Sequence, residues 1–303
     1  MPDHASPRRG KRRFDDNEEP AFAKRARQRR LPRLEVLDLA DGVPGGDRWS
    51  TWDQSSPTER GPEPYPGWLV TELAATDTEL GVLKTGKEAD VFLIRRAVPG
   101  TSRTCLLAAK RYRAAEHRLF HRDAEYTDGL RVRESRDNRA MAKRTATGRA
   151  MIVRQWAGAE FAALRQLQQA GVPVPYPVQV SGTEVLLEFL GEPDGTAAPR
   201  LAELRPSGDD LAGLWDQLTR AVLTMAGLGL AHGDLSAYNL LVHQGRLVLI
   251  DLPQVIDVIA HPRGAEFLDR DASNITAWFR ARGLDDARLA DLAPALRAEA
   301  RLG

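Results

Sequence analysis

Asp234, Asn239 and Asp251 are the polar types that a metal–triphosphate site needs, and they fall within one short stretch, LAHGDLSAYN followed by LLVHQGRLVLID. One carboxylate can orient an attacking hydroxyl, an amide oxygen can hold Mg²⁺, and a second carboxylate can bridge metal to phosphates. Apolar runs, Leu240 to Val242 and Leu247 to Ile250, follow the asparagine and precede the last aspartate, with Gly245 between them. That pattern predicts a β-hairpin whose two ends present their polar groups at one rim. A buried hairpin with solvated polar flanks is the plainer alternative. His232, two residues before Asp234, is a further polar candidate. Taken alone, the stretch fits any kinase-like phosphotransferase, including one acting on a small molecule.

Such a site needs cover for the phosphates and a cation to neutralise them. Residues 81–94, GVLKTGKEADVFLI, read as strand, loop and strand, with Lys84, Thr85, Gly86 and Lys87 as the candidate phosphate loop. Gly86 lets the backbone come close to a phosphate, and Lys87 adds charge beside it. Gly81 to Lys87 also satisfies the G-x-x-x-x-G-K pattern of a Walker loop. Glu88 stands where that loop needs a Ser or Thr, and a strand rather than a helix is expected next, so a hairpin loop of the kinase kind fits better.

The next strand, Leu106 to Lys110, ends in a lysine that is awkward to bury without an anionic partner. Trp156, Glu160, Phe161, Leu164 and Leu167 form an amphipathic helical stripe with Glu160 beside its apolar side. The two needs answer each other, and a Lys110–Glu160 ion pair that presents Lys110 to a nucleotide is expected. Gly171, Pro173, Pro175 and Pro177 stop the helix. Val185 to Leu190 reads as a buried strand, and the backbone from Glu188 to Leu190 is the expected hinge that meets an adenine edge. Leu211, Leu214, Trp215, Leu218, Val222 and Met225 give the core helix of a second lobe. Beyond Asp251, Glu266 to Phe279 predicts one or two helices, and Asp285 to Leu302 a final short one.

The chain has 303 residues, enough for two lobes with sizeable cores, and its 42% hydrophobic and 28% charged content is that of an ordinary folding chain. Its net charge of +1 is unevenly spread. Residues 1–33 carry 11 Lys/Arg against 5 Asp/Glu, a net +6 with few apolar residues, and read as a mobile basic tail. The tail could touch nucleic acid, a ribosomal particle or an acidic partner; it reads equally well as a solvated leader. Residues 34–67, rich in Pro, Gly, Asp and Ser, read as linker, with Trp49 and Trp52 able to dock on the folded body that begins near Trp68. Between Arg111 and Arg154 lies an arginine-rich insert, expected to hold a helix near Ala114–Ala124 and then a flexible loop near 125–150. It is either an ordinary surface loop or a basic clamp over substrate or nucleotide, itself open to phosphorylation. No apolar run has the length of a membrane span, and Cys105 in its apolar run reads as a core residue in a reducing cytoplasm.

Six segments now occur in order: GKEADV (Gly86–Val91), AAKRY (Ala108–Tyr112), WAGAEFAALRQLQQAGVPVP (Trp156–Pro175), HGDLSAYNLL (His232–Leu241), LIDLPQ (Leu249–Gln254) and EFLDRDASNITAWF (Glu266–Phe279). Together they resemble a RIO-family atypical serine protein kinase, closest to the first RIO subfamily in a bacterial-looking version, over roughly Trp68 to Gly283. The resemblance implies an α+β, two-lobed kinase fold with a β-rich N-lobe (68–190) and a reduced helical C-lobe (191–303) lacking an activation segment. It implies Lys110 as the nucleotide-binding lysine, Glu160 as its helix partner, and Asp234 as the catalytic aspartate. Asn239 and Asp251 become Mg²⁺ ligands, Asp251 also a possible phosphate acceptor, and His232 a residue that shapes the loop. ATP and Mg²⁺ are the implied cofactors, with a protein acceptor that includes the chain itself. Two other readings stay open: an ATPase switch in ribosome assembly, and a small-molecule phosphotransferase of the aminoglycoside or choline type. The upstream set, GKEADV with the arginine-rich insert, speaks against the second.

Overall fold

The structure, a computed structural model, describes residues 43, 45–113, 146–252 and 255–302. The basic tail, the first part of the expected linker and the expected insert helix at 114–124 lie outside these residues.

An antiparallel sheet of six strands forms the N-lobe: β1 (Arg48–Trp49), β2 (Thr76–Thr85), β3 (Ala89–Ala97), β4 (Thr104–Tyr112), β5 (Pro177–Ser181) and β6 (Glu184–Glu188), in the order β1-β2-β3-β4-β6-β5. The loop between β2 and β3 is Gly86 to Glu88, and a strand follows it, as the sequence indicates. Register shifts in β2 between Glu79 and Gly81 and between Val82 and Lys84 are bulges that twist the strand near this loop. Strand alternation in β4 separates two environments. Cys105, Leu107 and Ala109 pack into a core with Ile94, Val178 and Leu186. Tyr112 faces the other way, with Val153, Ala157 and Phe161 of α1 (Ala146–Gln169). That helix begins at Ala146, so the insert's expected loop, drawn to about 150, ends at least a turn earlier.

The ordered fold also reaches upstream of Trp68. Residues 45–67 run as a strap from the β2 edge, where Arg48 pairs with Asp77, across to β5, where Gly61 N donates to Val178 O at 3.0 Å and Tyr176 OH donates to Pro62 O at 2.8 Å. Trp52 is only 3% exposed and shares the core with Leu69, Val70 and Tyr176, while Trp49 is half-buried. At Gly61 any Cβ would lie 2.1 Å from Pro177 O, so the strap can press against the sheet only through glycine. The Pro/Gly-rich composition that reads as linker here serves close packing.

The C-lobe core lies between α2 (Gly208–Gly227), α3 (Gly264–Arg280), the short α4 (Asp286–Leu289) and α5 (Leu292–Glu299). The segment expected as one final helix is thus two, parted at Ala290–Asp291. The α2 stripe meets Phe267, Leu268, Ile275 and Phe279 of α3, with Trp215 edge-on to Phe279 at 5.1 Å between centroids. Two strands, β7 (Leu230–Ala231) and the later β10 (Ile256–Asp257), flank the hairpin β8 (Leu240–His243) and β9 (Arg246–Leu249). Its turn residues Gln244 and Gly245 both have positive φ, 51° and 74°, the requirement of a two-residue turn matched to strand twist. No helix among the described residues is long and apolar enough to cross a membrane.

Trp52→Ala is expected to destabilise the N-lobe by about 3–5 kcal/mol, because it empties a closed apolar site. Chemical denaturation checks this, and a loss under about 1 kcal/mol would mean that the strap is peripheral. Glu184 supplies a pH test. Its carboxylate accepts from Arg48 Nη2 and from Arg111 Nε, each at 2.6 Å. Burial alone would raise its pKa, but the two guanidiniums outweigh burial and hold it below the usual glutamate value. The unfolded chain therefore takes up the proton more readily, and this contribution is present above about pH 4.3 and lost as pH falls through the folded value. Glu184→Gln should be less stable at neutral pH and should lose less stability on acidification; parallel acid limbs would contradict it.

Candidate active site

A cleft of about 730 Å³ lies between the sheet and the C-lobe, and Lys110 forms part of its wall. The β4 alternation that turns Leu107 and Ala109 to the core leaves Ala108 and Lys110 on the cleft side. Lys110 Nζ donates to Glu160 Oε1 at 2.6 Å and to Asp251 Oδ1 at 2.9 Å. Burial works against its charge, yet Glu160 and Asp251 outweigh burial and hold its pKa above that of ordinary lysine. The other Glu160 oxygen accepts from Tyr112 OH, whose own pKa is raised by burial and by the carboxylate. Asp251 is held low: burial would raise it, but Lys110, Lys84 and His232 prevail, with Lys84 Nζ at 3.8 Å. The Asp251 backbone has φ of 64°, a strained value for a non-glycine residue and one that recurs at functional positions.

The hairpin brings the C-lobe groups to the same rim. Its ladder continues past β8 and β9, since Ile250 N donates to Asn239 O at 2.9 Å, and this sets Asn239 beside the residue before Asp251. The buried Asn239 amide donates through Nδ2 to Asp234 O at 2.8 Å, which leaves its oxygen as an acceptor. Asp234 itself is exposed to the cleft. His232 Nε2 donates to Ile250 O at 3.2 Å, so the histidine ties the loop to the strand before Asp251.

Two residues without an assignment from sequence hold this arrangement. Asp271 of α3 accepts from Gly233 N at 2.8 Å and from Leu235 N at 3.0 Å, the amides on either side of Asp234. Burial raises its pKa against the pull of those N–H groups, and the neighbouring Arg270 donates to Gly233 O. The signal was present: Asp271 sits on the buried stripe of Leu268 and Ile275, the same anomaly that marks Glu160. Tyr112 could have been found by period two from Lys110.

Of the residues singled out from sequence, Lys84, Gly86, Lys87, Lys110, Glu160, Glu188, Leu190, Asp234 and Asp251 line the cleft. Gly86 N donates to Ala89 O at 3.0 Å, and a Cβ there would come within 2.8 Å of that oxygen. Thr85 and Asn239 are not on the cleft wall: Thr85 ends β2 opposite Asp90, and Asn239 is buried with its amide on Asp234 O. Glu188 accepts from Tyr176 N at 3.0 Å, and Leu190 O accepts from Ala198 N at 2.9 Å, so the chain after β6 folds back along the cleft. Asp234, Asn239 and Asp251 offer hard oxygen donors of the kind Mg²⁺ takes. Among the described residues no three His, Cys, Asp or Glu side chains cluster to enclose a metal.

Residues 103–292 match the family profile described as the RIO domain. The chain belongs to the RIO family. It is 35% identical over 205 residues to the RIO-type serine/threonine-protein kinase Rio1 of Haloferax volcanii, covering 68% of this chain and 64% of that one. It is 32% identical to the serine/threonine-protein kinase RIO1 of Caenorhabditis elegans over 67% of this chain and 37% of the relative. It is 29% identical to the rio1 kinase of Schizosaccharomyces pombe over 80% of this chain and 48% of the relative. The matched stretches thus span under two thirds of each relative's length. The RIO domain match covers Lys110, Glu160 and the whole loop from His232 to Asp251, while the Gly86 loop and the strap lie upstream of it.

Asp271→Asn replaces one accepting oxygen with an NH₂ group and strands one of the two amides, at a local cost of about 1–3 kcal/mol. Hydrogen exchange at Gly233 and Leu235 should speed up by roughly ten- to a hundredfold. Unchanged protection would mean that the clamp does not hold the loop.

Proposed function

We propose that this chain is a serine/threonine protein kinase of RIO type that transfers the γ-phosphoryl group of ATP to a protein hydroxyl, its own included. The observation that carries the reading is the junction at Lys110, whose ammonium joins Glu160 of the N-lobe to Asp251 of the C-lobe across the cleft that Asp234 faces.

In this reading Asp234 accepts or orients the proton of the acceptor hydroxyl, while the Asn239 amide holds its backbone carbonyl. Lys110 neutralises phosphate charge, and Glu160 keeps its ammonium in place. The Gly86–Lys87 turn covers the triphosphate, with Lys84 adding charge beside it. Glu188 to Leu190 supplies the backbone against the adenine edge. Asn239 and Asp251 would hold Mg²⁺, which when bound neutralises developing charge on the phosphates. The basic tail is proposed as the contact for RNA or a ribosomal particle, and the chain as a cytoplasmic one. The small-molecule reading has less support, because the RIO family match extends over the lysine, the helix and the catalytic loop together.

Asp234→Ala should lower phosphoryl transfer by about a hundredfold or more while leaving ATP binding within about twofold. Incubation with labelled ATP checks this on the chain itself and on added protein. Wild-type incorporation by the variant would overturn the assignment of Asp234. Particle-stimulated ATP turnover with no phosphorylated protein would favour the ATPase-switch reading.

A further inference from the structure

A second cavity, of about 380 Å³, is lined by α1, the strap and β5, and shares no wall residue with the cleft. Arg154, Gly158, Phe161 and Arg165 follow one another at steps of four, three and four residues, so one face of α1 forms its wall. Glu160 leaves the same helix on another side to reach Lys110. Across the cavity stands the strap turn Pro57–Glu59, and Arg165 Nη1 donates to Thr58 O at 3.0 Å. The buried Phe161 ring and Val180 of β5 supply the apolar part of the wall.

The charge and the space of this cavity go unused within the described residues. Arg165 Nε is buried with no hydrogen-bond partner, a costly state for part of a cation. Arg154 is exposed, and neither guanidinium forms an ion pair among the described residues. Gly158 stands in mid-helix, where glycine is less favourable than alanine. A Cβ there would meet no atom within 4 Å, so packing among the described residues does not call for glycine.

Guanidinium groups that share one pocket, one with a free buried N–H, suit a tetrahedral oxyanion. A phosphate group brings a charge of about −1.5 to −2 at pH 7 and three strong acceptor oxygens. We propose that this cavity is a second anion site, which binds one phosphate group between Arg154 and Arg165. Glu59 is on the same wall, with its carboxylate turned to Ser56 N at 2.8 Å. The wall thus carries two cations and one anion, which favours a single phosphate over a polyphosphate or a nucleic-acid backbone. The group can be borne by a phosphorylated protein side chain or be free in solution. Bound there, it bridges α1 to the strap turn that Arg165 already holds. The site stands apart from the catalytic reading and does not depend on it.

Calorimetry on the full chain tests this with inorganic phosphate, a phosphothreonine peptide and the same peptide without its phosphate. A phosphate-bearing probe should bind, and ADP should not compete with it. Arg154→Gln, at an exposed position with little risk to folding, should weaken binding by about tenfold. Arg165→Gln should weaken it at least as much. Gly158→Leu keeps both charges but fills the open space, and should block binding. Binding of the phosphopeptide alone would name a protein ligand, whereas equally tight inorganic phosphate would name a free anion; either result supports the site. Competition by ADP would place the phosphate in the cleft and overturn the proposal. So would the absence of phosphate-dependent binding, or an affinity that Arg154→Gln and Gly158→Leu leave unchanged.

Discussion

The ammonium of Lys110 is buried at the junction of the two lobes, and an unpaired charge in such a place would cost several kcal/mol. Glu160 and Asp251 remove that cost together, at 2.6 and 2.9 Å. The consequence is positional. The lysine fixes how α1 lies on the sheet, because Glu160 can reach it only from one helical face, and Tyr112 holds the second oxygen of the same carboxylate. It also draws Asp251, at the end of the C-lobe hairpin, into the cleft. Loss of Lys110 would leave the buried Glu160 carboxylate beside Asp251 with no ammonium between them, so the three groups act together.

The C-lobe answers with a different device. Asp234 is exposed and its carboxylate meets only the Asn239 amide among the described residues, at 3.4 Å, so its direction comes from the backbone that carries it. That backbone is fastened at Gly233 and Leu235 by Asp271, and at the His232 ring by Ile250 O. A loop pinned on both sides of Asp234 keeps its geometry without a large rearrangement when a ligand arrives. The hydrophobic contacts beneath it, α2 against α3 and the hairpin, supply the rigidity from which these hydrogen bonds act.

Much of this was legible in the residues. The hairpin followed from two apolar runs around Gly245, and the Lys110–Glu160 pair from two charges on apolar stripes that each needed an opposite partner. The strap was legible only through its tryptophans, of which Trp52 docks as expected; its extent was not, because Pro/Gly-rich composition describes loops and close-packed coverings alike, and Gly61 against Pro177 O is a tertiary fact. Asp271 was overlooked although its anomaly resembled that of Glu160, since its partners are backbone amides and carry no sequence signal. Thr85 lay beside the phosphate loop in sequence, but the bulges of β2 and its pairing with Asp90 leave it off the cleft wall. Sequence proximity and spatial proximity part where a strand twists.

The dependence on Lys110 can be measured as a coupling. ATP affinity would be determined by calorimetry for the wild type, Lys110→Met, Glu160→Gln and the double variant. If Glu160 acts through Lys110, the double variant should bind no more weakly than Lys110→Met alone, a coupling of about 1 kcal/mol or more. Additive losses, with each substitution weakening binding independently, would contradict it.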